Sequence, residues 1–109
     1  MHSDCGGDYR PNNGGDLLRW TAHCTFGTIL RFHGNNHKPW SYTAEIAATV
    51  KSYLEMRYQL LPSLIAGGAE ATASGFPLAA RADLFWPAHA EGASNDAYVW
   101  LNDTLVAPI

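Results

Sequence analysis

The stretch from Thr43 to Gly75 constrains this chain more than any other, because apolar or aromatic side chains recur in steps of three and four at Ile46, Val50, Tyr53, Leu54, Tyr58, Leu61 and Ile65. Such spacing describes one wide face of an α-helix and no face of a strand. Thr43 is a natural N-cap, and Glu45 falls in the first turn, where the helix dipole favours a negative charge. Pro62 lacks a backbone donor and clashes with the preceding turn, so the helix should kink there, or stop and restart with Pro62 as the first residue of a second one. Gly67-Gly68 weakens that second part, by roughly 1 kcal/mol per glycine relative to alanine. Alanine-rich sequence carries it to Ser74, and Gly75 is a good C-terminal stop.

Ahead of the helix, Thr28-Ile29-Leu30-Arg31-Phe32-His33 reads as a short buried β-strand ended by Gly34-Asn35-Asn36. A side-chain period of two puts Ile29, Arg31 and His33 on one face, and Leu30 and Phe32 on the other, towards a helix. Arg31 and His33 then emerge together at the C-terminal tip, the end at which α/β proteins place ligands and chemistry. The plainer alternative is a hydrogen-bonded core histidine beside a structural arginine. Upstream, the polar run His2 to Gly7 leads through Pro11-Asn12-Asn13-Gly14-Gly15 to a helical turn or two, capped by Asp16, with Leu17, Leu18, Trp20 and Ala22 on its apolar side. Lys38-Pro39-Trp40 closes the loop after the strand, with Trp40 covering one edge of the site or packing on the next helix.

Beyond Gly75, short apolar pieces alternate with turns. Phe76 to Leu78, Asp83 to Pro87, Tyr98 to Leu101 and Thr104 to Ala107 look like strands or edges, with Ala88 to Asp96 as a surface loop and Asn102-Asp103 as a turn.

A chain of 109 residues, 47% hydrophobic and 16% charged, belongs with globular domains. Its net charge of −3 and seven scattered Lys and Arg offer no basic stripe for phosphates, so nucleic acid is not an expected partner. No apolar run approaches the roughly 18 residues of a membrane span, and no membrane partner is expected. Two cysteines are too few for a secreted disulfide framework and leave the compartment open. Cys5, Cys24, His33 and His37 carry zinc-ligand chemistry, but their spacing matches poorly the paired cysteines of structural zinc sites. Four tryptophans keep a non-catalytic carbohydrate-binding or interaction module in view, since aromatic faces stack on sugars. The chain opens on a motif with no lead-in and closes inside an apolar run, which creates the expectation of a fragment of something larger.

Six motifs in order carry a resemblance. Asp4-Cys5-Gly6-Gly7, Arg19-Trp20, Phe26 ahead of Arg31-Phe32-His33, Pro39-Trp40, Arg57-Tyr58-Gln59-Leu60-Leu61-Pro62 and Gly75-Phe76-Pro77-Leu78, with Leu101 to Ile109 behind them, resemble the late part of the catalytic barrel of glycoside hydrolase family 31, the α-glucosidase and α-xylosidase family. The resemblance implies an α/β fold: about two βα units from the last portion of a (β/α)8 TIM barrel over residues 1–75, then barrel end and the start of a β-rich, sandwich-like region over 76–109. It implies that His33 hydrogen-bonds the sugar where the bond is cut, that Asp4 holds the pocket's polar network from the preceding strand, and that Arg31 contributes from the same strand as His33, more as support than as contact. The implied substrate is an α-linked oligosaccharide or glycoside, with no cofactor or metal. Cys5, Phe32 and Asp8 or Tyr9 depart from the family's usual residues and bear on substrate preference. A retaining glycosidase needs two carboxylates roughly 5 Å apart. Neither the nucleophile nor the acid/base motif is matched here, so both are expected upstream of Met1, and the missing remainder of the barrel is an expected partner. A piece with about two of eight strands leaves a barrel's inner layers unfilled, and alone it should be poorly folded and inactive.

Overall fold

The computed structural model describes residues 14–32, 38–88, 97–101 and 103–107. The chain forms two compact units, residues 1–60 and 61–109.

In the first unit, helix α1 (Gly14–Thr25) and the start of helix α2 (Ala44–Ser74) are the regular elements, with a single 3₁₀ turn at Pro39–Ser41 between them. At three turns, α1 is longer than the sequence suggested. Asp16 stands inside its first turn and not at the cap, where its carboxylate still faces the positive end of the dipole. Leu17, Thr21, Cys24 and Thr25 make its buried side. The two buried threonines donate their hydroxyls one turn back, Thr21 to the Leu17 carbonyl and Thr25 to the Thr21 carbonyl, both at 2.7 Å. The hydroxyls thereby enter the core satisfied. Gly14 is buried because a Cβ at that position would overlap the Ile46 Cδ1 methyl.

The α2 cap is as expected: the Ile46 amide donates to Thr43 Oγ1 at 3.4 Å, and the Ala47 amide donates to the Thr43 carbonyl at 3.0 Å. The helix then runs unbroken through Pro62 for 31 residues, without the expected stop and restart. Proline removes one bond there, to the carbonyl of Tyr58. Tyr58 and Pro62 both lie on an exposed stretch, where water compensates a lost backbone bond cheaply. The helix ends as expected, with Gly75 at φ 75° and its amide bonded to the Ala71 carbonyl at 2.9 Å.

The buried face of α2 departs from the apolar stripe. Ile46, Tyr53 and Leu54 are half-buried and Val50 fully buried, but Tyr58 is 74% exposed and Ile65 73% exposed. From the middle of the helix onward, the covered positions are Arg57, Leu60, Leu64, Gly67, Gly68 and Ala71, which continue the same three-and-four spacing from Val50. Arginine and glycine at these positions hide the register from a hydrophobicity count.

The second unit holds the C-terminal part of α2, the two-residue strand β1 (Ala79–Ala80), the one-turn helix α3 (Ala82–Phe85), and strands β2 (Tyr98–Trp100) and β3 (Thr104–Val106). The sheet is antiparallel in the order β1-β2-β3, with Ala79 opposite Trp100 and Val99 opposite Leu105. Strand formation at 98–100 and 104–106 agrees with the sequence reading. Residues 82–85 do not: the expected strand is a helical turn, opened by the exposed pairing of Arg81 with Asp83 and closed by the Trp86 amide on the Ala82 carbonyl at 2.7 Å. Ala82, Val99, Trp100, Val106, Leu78 and Leu64 make this unit's buried apolar set among the described residues. Gly67 belongs to that packing. A Cβ there would overlap Leu101 Cδ2 and approach Leu78 Cδ1 to 3.3 Å, so this glycine seats two leucines on the helix and does not merely loosen it.

Candidate functional site

Of the three residues expected to bind sugar, Asp4 and His33 lie outside the described residues, and so does their expected side-by-side placement. Arg31 is described. It is exposed and makes a single β-bridge, in a segment whose other described residues, 28–30 and 32, have no regular structure. The expectation of a buried strand is therefore corrected over 28–32: Ile29 is 56% exposed and Thr28 is exposed. A parallel strand owes its burial and its ladder to neighbours on both sides, and among the described residues only the Arg31 bridge supplies one. The alternation itself survives. Ile29 and Arg31 are exposed, whereas Leu30 and Phe32 are half-buried.

What anchors this segment is a residue to which the sequence reading assigned no role. The four last carbonyls of a helix have no intrahelical donor, and the negative end of the dipole attracts a cation. At the end of α1 this cation is Arg57, on the covered register of α2. One terminal nitrogen, Nη1, donates to the Thr25 carbonyl at 2.8 Å and also to the Gly27 carbonyl, while Nη2 donates to the Thr28 carbonyl at 3.0 Å. The Gly27 amide folds back onto the Cys24 carbonyl at 3.0 Å, completing the turn. One guanidinium thus joins the exit of α1 to the root of the 28–32 segment. The signal for it was present in the sequence: a charged residue spaced seven from Val50, inside the Arg-Tyr-Gln-Leu-Leu-Pro motif.

Trp40, expected to cover the site's edge or pack on α2, is 76% exposed on the 3₁₀ turn. On α1, His23 meets Trp20 edge-on with ring centroids 5.7 Å apart, and partial burial lowers its pKa from the ordinary histidine value. The best-defined carboxylate partnership is Arg81 with Asp83: Nε donates to Oδ1 at 3.1 Å and Nη2 to Oδ2 at 2.9 Å. These hydrogen bonds hold the Asp83 carboxyl below its ordinary range, so it is ionised and spoken for, which is the wrong state for a general acid. Glu55 pairs with Lys51 one helical turn away, at 3.5 Å.

The zinc-type series falls mostly outside the described residues. Of its members only Cys24 is described, buried in α1. Among the described residues, no three His, Cys, Asp or Glu side chains are grouped to hold a metal, and no helix is long and apolar enough to cross a membrane. In the second unit a cavity of about 430 Å³ is lined mainly by Phe76, Phe85, Leu78 and Leu101, with Gly67 and Glu70 at its side. None of the sequence-expected site residues lines it.

Comparison with known proteins bears directly on the motifs. The model of the glycosyl hydrolases family 31 TIM-barrel domain matches residues 2–66. Alpha-glucosidase 2 of Bacillus thermoamyloliquefaciens is 33% identical over 79 residues, covering 69% of this chain and 10% of the relative. Glucosidase 2 subunit alpha of Schizosaccharomyces pombe is 27% identical over 99 residues, 85% of this chain and 11% of the relative. An alpha-xylosidase of Saccharolobus solfataricus is 38% identical over 48 residues, 42% of this chain and 7% of the relative. The chain spans about a tenth of the length of the curated relatives it matches. No solved structure matches it. With a barrel-domain match running from residue 2 through the Arg57 motif and relatives that are all glycosidases by name, this chain is a member of glycosyl hydrolase family 31.

Proposed function

We propose that this chain is part of the barrel of a retaining α-glycosidase that cleaves α-linked glucosides or xylosides, supplying sugar-binding and scaffold residues while the nucleophile and acid/base reside elsewhere in the whole protein. The observation that carries this reading is the family match over residues 2–66, which embraces Asp4, Arg31, His33 and Arg57. His33 would hydrogen-bond the sugar at the cleaved bond, Asp4 would hold the polar network beside it, and Arg31 would support the strand tip. The chemistry of the described carboxylates agrees. Retention needs a nucleophile and an acid/base roughly 5 Å apart, whereas Asp83 is committed to Arg81 and Glu55 faces Lys51.

The missing remainder of the barrel is the partner this reading requires. Support comes from apolar side chains left on the α2 surface, Tyr58, Leu61 and Ile65, at the spacing of one helix face. A lone barrel segment exposes what neighbouring βα units cover in a whole barrel.

The test is a pair of measurements on the purified chain. With p-nitrophenyl α-glucoside or α-xyloside it should release no p-nitrophenol. In an NMR titration, methyl α-D-glucopyranoside should shift the His33 ring and Arg31 amide signals while the β-anomer leaves them unmoved. Turnover that persists in Asp4→Asn would place a complete acid pair inside the chain and refute the reading, as would indifference to both anomers.

A non-catalytic carbohydrate-binding module is the second reading, favoured by the exposure of Trp40. It ranks lower because Trp86, the other candidate platform, is half-buried. Quenching of Trp fluorescence by maltose that vanishes in Trp40→Ala, with no response at His33, would raise it above the first.

A further inference from the structure

We infer that Arg57 is a positioning residue for the sugar-binding end of the 28–33 segment, an inference that rests on the sugar-pocket reading above. Over its described length the segment has one β-bridge, at Arg31, so its direction is not set by a sheet ladder. It is set at its root, where the guanidinium grips the Thr25, Gly27 and Thr28 carbonyls together. Three acceptors on two nitrogens of one planar group fix an orientation as well as a position, which a lysine ammonium, a point charge on a flexible stem, does not. The lever arm gives the consequence. From Thr28 to Phe32 an extended chain covers about 13 Å, so a rotation of about 10° at the root moves the far end by roughly 2 Å. That exceeds the tolerance of about 0.5 Å within which a binding constellation works.

The arrangement also carries its own chemical probe. Removing the side chain leaves the three carbonyls turned towards a space that the free guanidinium ion fits in shape and charge. A residue that acts only by filling space would not be replaced by that ion.

The test uses the full chain, ¹⁵N-labelled, as wild type, Arg57→Lys and Arg57→Ala. The first readout is the heteronuclear NOE of the Gly27 to Phe32 amides, with the Val50 amide and ellipticity at 222 nm as controls for the fold. The second is the titration with methyl α-D-glucopyranoside followed at Arg31 and His33. In Arg57→Ala the NOE should fall from Gly27 to Phe32 while the controls hold. The sugar response should weaken by at least about tenfold, the scale on which loss of a positioning contact acts, and guanidinium well below denaturing concentration should restore both. Arg57→Lys should be intermediate. A wild-type response retained in full by Arg57→Ala overturns the positioning role. If Arg57→Ala fails to fold, Arg57→Lys decides, and sugar binding equal to wild type in that variant overturns it as well. A wild-type chain indifferent to the sugar overturns the pocket reading itself and the positioning role with it, a result distinct from the other two because the reference, and not the variant, fails.

Discussion

Replacing Gly67 and Gly68 one at a time by alanine separates packing from helix propensity on adjacent positions of one helix. Each substitution gains about 1 kcal/mol of propensity, because glycine gives up the most backbone freedom on entering a helix. At Gly68 nothing lies within 4 Å of the new methyl, so the full gain should appear as added stability. At Gly67 the methyl overlaps Leu101 Cδ2 and presses Leu78 Cδ1 at 3.3 Å, and Leu78 is only 8% exposed. Overpacking of this kind costs about 1 to 3 kcal/mol. Set against the propensity gain, Gly67→Ala should range from neutral to about 2 kcal/mol destabilising, leaving the two variants about 1 to 3 kcal/mol apart. The assay is urea unfolding followed at 222 nm, and the measured quantity is the difference between variants, which does not depend on how stable the chain is. Leu101→Ala closes the cycle: with the δ-methyls gone, Gly67→Ala should become stabilising, by about as much as Gly68→Ala. Equal stabilisation by the two single variants, or a cycle with no coupling to Leu101, would refute the seat assigned to Gly67.

Three further outcomes follow from the first unit and its caps. Gly14→Ala should destabilise by about 1 to 2 kcal/mol in the same assay, since its methyl meets Ile46 Cδ1 and Cγ1 at a helix start, where the propensity gain is small. Thr43→Ala should cost about 0.5 to 1 kcal/mol and fray the first turn of α2, seen as faster amide exchange at Ile46, which loses its acceptor. The His23 pKa is lowered in the fold by burial, so the unfolded chain binds the proton more readily. Stability is therefore full above the ordinary histidine value of about 6.5 and falls as pH drops from there towards the lowered folded value. His23→Gln should flatten the stability profile over that window, and an unchanged slope would rule His23 out as its source.

Local chemistry made parts of this fold legible in advance. Thr43 as cap, Gly75 as stop and the pieces at 98–100 and 104–106 were readable because a hydroxyl at a cap, a left-handed glycine and alternating β-branched or aromatic residues act over a few residues. The second half of α2 was misread for a reason equally local. Periodicity looks for apolar residues, and the face that is covered there carries Arg57 and Gly67, one chosen for carbonyls and the other for closeness. Tyr58, Leu61 and Ile65 followed the same period one residue out of phase and fell on the exposed side. Asp83 to Pro87 misled because its aromatics favour strands while the Arg81 to Asp83 pairing and the Ala82 to Trp86 bond favour a turn of helix. As for the site, the alternation at 29–32 was legible, but a strand was not. A barrel strand is stabilised by neighbours, and those are not encoded in its own six residues.

Leu101 turns the β2–β3 hairpin with φ at 55°, a left-handed conformation that costs a side-chain-bearing residue about 1 to 2 kcal/mol. A tight turn made of glycine or asparagine can nucleate its own hairpin, but this one starts at a disadvantage and is compensated by contacts made outside it, the Leu101 amide on the Leu78 carbonyl at 2.9 Å and the leucine side chain over Gly67. The order of assembly follows: the C-terminal half of α2 and the Leu78 strand entry must be in place before the hairpin closes, so the most sequence-local pairing in this unit forms late.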